Sequence, residues 1–261
     1  MSPAVSDPAK AALVTGGARR IGRAIVEALA QAGHAVAIHC HGSRHEAEEL
    51  AASLVAKGSR AHVLVGDLAD ALEAARLVPA AEAAIGRLTL LVNNAALFEE
   101  DSVAELEGAG FDRHIAVNLR APLLLARDFA RRAQASSRPS IVNILDQRVL
   151  RPDPRCFSYT LTKSALWSAT RTMAQAFAPA VRVNAVAPGP TFPNPRDREE
   201  GLVREAEATL LGRRVRPQAI AAAVLYLVSA EHVTGQMLAV DSGQHLGWLT
   251  PDVLATMRQE R

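Results

Sequence analysis

The residues best suited to do chemistry are a tyrosine, a lysine and an aspartate in the second half of the chain. Tyr159 and Lys163 are four residues apart, and Asp146 precedes them. If residues 157–178 are helical, positions four apart share a face, so we expect the Lys163 ammonium beside the Tyr159 phenol. A nearby cation lowers the pKa of tyrosine from about 10 toward the range that acid–base catalysis uses. The same spacing also occurs in simple surface pairs.

A glycine-containing turn near the start of the chain supports the catalytic interpretation. Residues 11–22 read AALVTGGARRIG, a short apolar run followed by a turn and a helical pattern. Glycines there let backbone amides approach a pyrophosphate, and the helix N-terminus adds a favourable dipole. The spacing differs from GxGxxG, and an ordinary strand–helix turn remains an alternative. The predicted cofactor contacts of this loop are Gly16, Arg19, Arg20, Ile21 and Gly22.

Short apolar runs alternate with helical stretches along the chain. This alternation predicts an α/β fold, a doubly wound parallel sheet of about seven strands with helices on both faces. We expect a flexible tail over 1–9 and one Rossmann-like domain over 10–261. Ser43 and Glu46 have the spacing of a capping box at a helix start. The predicted strands are 11–15, 35–39, 61–65, 88–93, 140–145, 181–187 and 237–241.

Composition limits the class of protein. The 261 residues are 49% hydrophobic, enough for a sizeable core. The net charge of +2 and the scattered basic residues argue against a nucleic-acid partner. Without a signal peptide or an apolar run of about 18 residues, we expect a soluble cytoplasmic protein with no membrane partner. Cys40 and Cys156 are then expected to be free thiols.

Further motifs follow the predicted strands. Asp67 follows AHVLV, Asn93 and Asn94 end LTLLVNN, and Pro188 and Gly189 follow VRVNAVA. With the glycine turn and Tyr-x-x-x-Lys, their order resembles the short-chain dehydrogenase/reductase family over nearly the whole chain. The resemblance implies a nicotinamide cofactor and a small-molecule substrate. It also implies a homotetramer with interfaces on helices such as 112–135 and 157–178.

The resemblance also implies roles for individual residues. Asn118 would support Lys163 through a proton-relay water; alternatively it bends its helix or holds a water of its own. Asp67, Asn93 and Asn94 would surround the adenine and ribose, or they are simple strand-end caps. The other implied cofactor contacts are Leu68, Ala95, Tyr159, Lys163, Pro188, Gly189 and Thr191.

The residues after the second predicted strand indicate which nicotinamide cofactor is used. An enzyme that prefers NAD usually has an acidic residue there, which binds the ribose hydroxyls and repels a 2′-phosphate. This chain has His39, His41, Ser43 and Arg44 instead, so several donors could hold a phosphate. We therefore predict NADPH. A metal site on His39 and His41 is the alternative, although no third or fourth ligand lies nearby in sequence.

Two positions depart from the common family pattern. Arg20 stands where the family usually has glycine, and Asp146 stands where it usually has serine. The serine hydroxyl would donate a hydrogen bond to a developing oxyanion. An ionised aspartate only accepts hydrogen bonds, and its charge opposes an oxyanion. Asp146 therefore favours a substrate with N–H donors or one that takes a proton on nitrogen, such as the C=N bond of a dihydropterin.

Both departures are similar to the pteridine reductases and the dihydromonapterin (dihydrofolate) reductases of the family. The similarity implies that Asp146, Tyr159 and Lys163 form the catalytic group and that Arg20 reaches the cofactor phosphates and the pterin. Phe98 would stack on the pterin ring, or it is an apolar plug at a loop tip. Ala96 stands where pteridine reductases often have serine, which removes one hydrogen bond.

These expectations combine into one function with two alternatives. We expect an NADPH-dependent reductase of a dihydropterin-like C=N bond, with residues 192–212 as a mobile substrate lid. One alternative is a carbonyl reductase in which Asp146 is only a local substitution. The other is a nucleotide-binding regulator that holds NADPH with little turnover.

Overall fold

The computed structural model describes residues 10–134, 138–193 and 198–250. Seven parallel strands form one sheet in the order β3-β2-β1-β4-β5-β6-β7. The predicted doubly wound α/β fold is therefore confirmed. The strands are β1 Ala11–Val14, β2 Ala35–Cys40, β3 Ala61–Val65, β4 Leu90–Asn93, β5 Ser140–Ile144, β6 Arg182–Pro188 and β7 Met237–Val240.

Helices connect the strands and cover both faces of the sheet. One core packs α1, α2 and α8 on one face, and a second core packs α3, α5 and α6 on the other. Side chains alternate along β1, so that Val14 points into the first core and Leu13 into the second. The helices are α1 Arg20–Gln31, α2 Arg44–Ala56, α3 Ala71–Ile85, α4 Gly108–Ile115, α5 Ala121–Arg132, α6 Phe157–Phe177, α7 Arg198–Glu207 and α8 Pro217–Ser229.

The strand order places the switch point of the sheet between β1 and β4. The chain leaves β1 toward β2 and β3 on one side, and β4 begins the run toward β7 on the other. Open α/β sheets bind ligands in the crevice at the carboxyl ends of the strands at this point. The predicted glycine turn after β1 and the two asparagines at the end of β4 meet there.

One local prediction about helices needs correction. Ser43 is the N-cap residue of α2, but its side chain makes no capping hydrogen bond. Glu46, the other half of the expected capping box, forms an ion pair with Arg19 at 3.3 Å instead. The capping box is therefore wrong. Asn118 lies in a π-helical segment, Ala116–Arg120, which joins α4 to α5.

Two absences concern only the described part of the chain. None of its helices is both long and apolar enough to cross a membrane. Nor does any group of three or more histidine, cysteine or acidic side chains there have an arrangement that could hold a metal ion. Cys40 and Cys156 are both buried and free, as expected.

Candidate active site

A cleft of about 940 Å³ opens at the carboxyl ends of the strands. It brings together the glycine turn, the ends of β2 to β6 and the start of α6. Most residues predicted for the site line it. They are Gly16, Arg19, Arg20, Ile21, Gly22, His39, His41, Ser43, Asp67, Leu68, Asn94, Ala95, Phe98, Asp146, Tyr159, Lys163, Pro188, Gly189 and Thr191.

The glycine turn requires glycine at two positions. Gly16 has a φ of +60°, which side-chain-bearing residues rarely adopt. A Cβ atom at Gly22 would collide with the carbonyl oxygen of Gly16 and lie 2.7 Å from the Asn94 side chain. The turn is thus packed too closely for a side chain at Gly22.

Asn94 fastens the glycine turn to the end of β4. Its side-chain nitrogen donates to the carbonyl oxygens of Thr15, at 2.8 Å, and Gly16, at 3.0 Å. Thr15 Oγ1 in turn accepts from the backbone N–H of Asn94 and of Ala95, both at 3.0 Å. Asn94 therefore holds the shape of the turn in addition to lining the cleft.

His39 has a structural role under the same turn. It is 1% exposed, and Nδ1 accepts from the backbone N–H of Gly16 at 3.3 Å. Nε2 lies 3.0 Å from the carbonyl oxygen of Gly66, to which it donates in that tautomer. Burial lowers the pKa of His39, against the backbone hydrogen bond to Gly66. Both ring nitrogens are occupied, so His39 has no free nitrogen for a 2′-phosphate, contrary to our expectation.

The remaining donors after β2 separate into two groups. His41 and Ser43 line the cleft. Arg44 is outside the lining and pairs with Glu48 at 2.7 Å. Arg19 also lines the cleft, and it forms an ion pair with Glu46. His41, Ser43 and Arg19 are therefore the side chains here that remain candidates for a 2′-phosphate.

Arg20 occupies a backbone position that favours glycine. Its φ is +53°, which explains physically why glycine suits this position. The guanidinium lies 4.9 Å from the centre of the Phe192 ring and donates to the carbonyl oxygen of Pro193 at 3.4 Å. Arg20 thus joins the start of α1 to the first residues of the predicted lid.

Asp146 and Tyr159 meet at the wall of the cleft. The Tyr159 hydroxyl donates to Asp146 Oδ2 at 3.1 Å. Lys163 donates instead to the carbonyl oxygen of Ile144 at 2.7 Å, and its Nζ lies 5.6 Å from the centre of the Tyr159 ring. The three predicted catalytic residues are therefore together, but the carboxylate contacts the phenol and the ammonium does not.

This arrangement changes the expected acid–base behaviour. Burial raises the pKa of Tyr159 well above 10, the Asp146 charge adds to the rise, and Arg148 opposes it. The expected lowering of the Tyr159 pKa by Lys163 is therefore wrong for this arrangement. Burial lowers the pKa of Lys163 to about 8, while Asp146 raises it. Tyr159 is held as a neutral phenol, which can give a proton.

Two predicted site residues do not reach the cleft. Asn93 is buried, and its side chain donates to Asn143 at 2.9 Å. Asn118 is buried too, and its amide bonds both backbone groups of Leu97, at 2.7 and 2.9 Å. Neither side chain lines the cleft. Asn93 ties β4 to β5, and Asn118 fixes the loop that carries Phe98.

Sequence reasoning missed Arg148. Its guanidinium Nη1 lies 3.3 Å from each carboxylate oxygen of Asp146. Burial opposes the charge on Arg148, but the charge of Asp146 raises the pKa of Arg148 above the usual range. The available signal was an acidic and a basic residue two apart directly after a predicted strand. Such a pair is common in loops, so the spacing alone did not distinguish it.

Phe98 lines the cleft beside Tyr159, and its stacking on a pterin stays a prediction. Its ring meets Tyr159 edge to face, with centres 4.7 Å apart and planes at 84°. The Arg148 guanidinium lies 5.6 Å from the centre of the same ring. Phe98, Tyr159 and Arg148 therefore form one continuous wall of the cleft. Such a wall offers a flat aromatic substrate both stacking and a polar edge.

The segment predicted as a lid forms part of the cleft. Residues 194–197 lie outside the described residues, and α7 follows at Arg198–Glu207. Gly201, Leu202 and Glu205 of α7 line the cleft together with Phe192 and Pro193. The motion of this segment remains a prediction.

Comparison with known proteins identifies the family. Residues 16–245 match the family described as enoyl-(acyl carrier protein) reductase. A short-chain type dehydrogenase/reductase from Picea abies is 32% identical, with 90% of this chain and 92% of that protein covered. The chain belongs to the short-chain dehydrogenase/reductase family. The resemblance found in the sequence is thus confirmed, and with it the expectation of an oxidoreductase.

Solved structures are more similar still. FolM alternative dihydrofolate reductase 1 from Brucella canis, complexed with NADP, is 48% identical with a TM-score of 0.90. The alignment covers 94% of this chain and 97% of that one. The protein of the same name from Brucella suis, also in complex with NADP, has the same identity and TM-score, and 98% of it is covered.

Proposed function

We propose that the protein is an NADPH-dependent reductase that reduces the C=N bond of a dihydropterin or dihydrofolate. The observation that carries the proposal is the hydrogen bond from Tyr159 to Asp146 Oδ2, 3.1 Å long, at the wall of the cleft. It places a proton donor and an anionic acceptor side by side. A substrate that offers N–H donors and accepts a proton on nitrogen fits this pair. The 48% identity to two alternative dihydrofolate reductases supports the same reaction.

The residues of the glycine turn fit a dinucleotide. The turn leaves no room for a Cβ atom at Gly22, and Gly189 is equally confined, with a Cβ position 2.6 Å from Asp241 Cα. Gly16, Ile21, Asn94 and Ala95 would hold the pyrophosphate and ribose side, and Asp67 with Leu68 the adenine. Pro188, Gly189 and Thr191 would enclose the nicotinamide, beside Lys163.

NADPH is preferred over NADH in this proposal because His41, Ser43 and Arg19 line the cleft without an acidic residue at the end of β2. Ser43→Asp would place a carboxylate near the 2′-phosphate, so we expect NADPH to bind about tenfold more weakly and NADH to bind unchanged. Titrations of both cofactors measure this, with Ser59→Asp, outside the cleft, as control. Equal efficiencies of wild type with NADPH and NADH would contradict the preference.

The mechanism assigns separate tasks to the charged residues. NADPH, when bound, would supply the hydride that goes to the substrate carbon. Tyr159, held neutral by burial and by Asp146, stands ready to donate a proton, and Asp146 accepts N–H groups of the substrate or relays a proton to ring nitrogen. Lys163 keeps its ammonium fixed on the Ile144 carbonyl oxygen, from where it is available to the cofactor ribose. Phe98 supplies the stacking surface.

Oxidation of NADPH dependent on added substrate tests the function. We expect turnover with dihydrobiopterin or dihydrofolate and much lower turnover across a panel of ketones. Turnover with ketones alone would favour the carbonyl reductase, since the neutral Tyr159 can also give its proton to a carbonyl oxygen. Tight NADPH binding with no turnover on any substrate would favour the regulator.

We propose a homotetramer as well, assembled through helices that include α5 and α6. The proposal rests on the resemblance to the family, which implies interfaces on these helices. Light scattering coupled to size exclusion should give four times the mass of the chain. A monomer at the concentrations used for assay would contradict this assembly.

A further inference from the structure

We infer that Arg148 is a positioning residue that holds the Asp146 carboxylate in the orientation needed by the substrate. This inference rests on the proposed function of Asp146. Arg148 takes no part in the acid–base steps assigned above. It nevertheless makes more contacts with the catalytic carboxylate than any other residue described.

The short turn after β5 builds this contact. Residues 147–149 form a single 3₁₀ turn, with Asp146 as its N-cap. Asp146 Oδ1 accepts from the backbone N–H of Arg148 at 2.8 Å, and the Arg148 guanidinium lies 3.3 Å from both oxygens. Backbone and side chain of one residue therefore hold the carboxylate, and Oδ2 faces Tyr159.

The guanidinium has two further neighbours, although its Nε makes no hydrogen bond within the described residues. Arg148 Nε lies 3.8 Å from Asp153 Oδ2, and Asp153 pairs with Arg155 at 2.8 Å. The Phe98 ring lies under the guanidinium at 5.6 Å. The side chain of Arg148 is 18% exposed and that of Asp146 is 16% exposed. An ion pair that is largely shielded from water keeps its geometry better than an exposed one.

The consequence concerns the direction of Asp146. Without Arg148, its carboxylate would keep one backbone hydrogen bond and the contact from Tyr159 and would rotate more freely. A polar group misplaced by a small distance costs much of the rate that orientation supplies. Removing the Arg148 side chain should therefore lower kcat for dihydropterin reduction more than it changes NADPH binding, because Arg148 is not among the predicted cofactor contacts.

A double-mutant cycle tests the inference with dihydrobiopterin and NADPH. The variants are Arg148→Met, Asp146→Asn and the two together, with Arg23→Met, an exposed ion-paired arginine outside the cleft, as matched control. We expect Arg148→Met to lower kcat about 30-fold alone and less than about 3-fold in the Asp146→Asn background. The control should stay within about 2-fold of wild type.

A conservative variant separates positioning from general structure. Arg148→Lys keeps a cation beside Asp146 and should recover only part of the loss in Arg148→Met, about 3-fold, because an ammonium does not reproduce the planar guanidinium. NADPH affinity and the melting temperature of Arg148→Lys should match wild type. If Arg148→Met does not fold, Arg148→Gln takes its place in the cycle.

Several results would overturn the inference. Equal losses from Arg148→Met with and without Asp146→Asn would show that the arginine acts independently of the carboxylate. No recovery in a folded Arg148→Lys would do the same. These outcomes leave dihydropterin reduction by wild type intact. A wild type inactive on dihydropterins would instead overturn the proposed function and this inference with it.

Discussion

The two halves of the cleft are built by different means. On the cofactor side, side chains hold the main chain: Asn94 and His39 both bond backbone groups of the glycine turn. On the substrate side, charged side chains hold one another, as Tyr159, Asp146 and Arg148 do. The cofactor side therefore depends on the close packing of the glycine turn. The substrate side depends on interactions among charged and polar side chains, so one substitution there can change its chemistry.

The difference teaches which changes should separate binding from turnover. Substitutions in the glycine turn remove space and should weaken binding of the cofactor. Altering the charged group leaves that space intact and should slow the reaction. A substitution in the glycine turn that slowed only the reaction, or one among the charged residues that weakened only cofactor binding, would contradict this division.

The largest effect is expected from Tyr159→Phe. This change keeps the ring against Phe98 and removes the proton donor, so turnover should fall by about two to four orders of magnitude while NADPH affinity is retained. The chain has two tyrosines, and Tyr226 is 56% exposed and outside the cleft lining, so Tyr226→Phe is the matched control. Steady-state kinetics and NADPH titration measure both. Near-wild-type turnover in Tyr159→Phe would show that another group supplies the proton.

A smaller effect, on binding, is expected from Gly22→Ala. The added methyl group would collide with the Gly16 carbonyl, so NADPH should bind about 10- to 100-fold more weakly through overpacking of the turn. Gly110→Ala is the control, because a Cβ atom at Gly110 meets nothing within 4 Å. If both alanine variants bind NADPH equally well, close packing of the glycine turn does not control cofactor binding.

The smallest effect concerns pH. Burial lowers the pKa of Lys163 to about 8, so its ammonium is present below that pH and is lost above it. The efficiency kcat/KM for NADPH, which reports the free enzyme, should fall by up to about tenfold per pH unit above about 8. Tyr159 titrates far higher and does not account for this decline.

Two lysine variants check the assignment of the pH dependence. Lys163→Arg should be less active but should show no alkaline decline, because arginine stays charged. Lys57→Arg, at an exposed lysine outside the cleft, should keep the wild-type profile. An alkaline decline that persists in Lys163→Arg would assign it to another group.

The sequence predicted the cofactor side more completely than the substrate side. Glycine at 16 and 22 is required by backbone geometry, which leaves a readable spacing, and the sheet follows from apolar runs of regular length. Asn93 and Asn118 were placed in the site by motif alone, and their side chains bond Asn143 and Leu97 instead of lining the cleft. The role of Asn118 through a relay water stays a prediction.

For the charged residues of the substrate side, the sequence predicted which residues take part but not how they contact one another. Tyr159, Lys163 and Asp146 were found by spacing, but helical spacing did not show that Lys163 bonds a strand carbonyl and that Asp146 bonds the phenol. Arg148 and Glu205 have no spacing that marks them, because the first lies in an irregular turn and the second comes from α7 across the cleft. Contacts between loops depend on the packing of the whole domain.

The measurement that tests the central claim most directly is the selectivity of Asp146→Ser. The ratio of kcat/KM for dihydrobiopterin to kcat/KM for a ketone is measured in wild type, in Asp146→Ser and in the control Asp128→Ser, which lies outside the cleft lining. The account predicts that wild type prefers the dihydropterin and that the serine variant lowers this ratio by about 100-fold, since serine restores a donor for an oxyanion. An unchanged ratio, or a wild type inactive on every reduced pterin, would contradict the account.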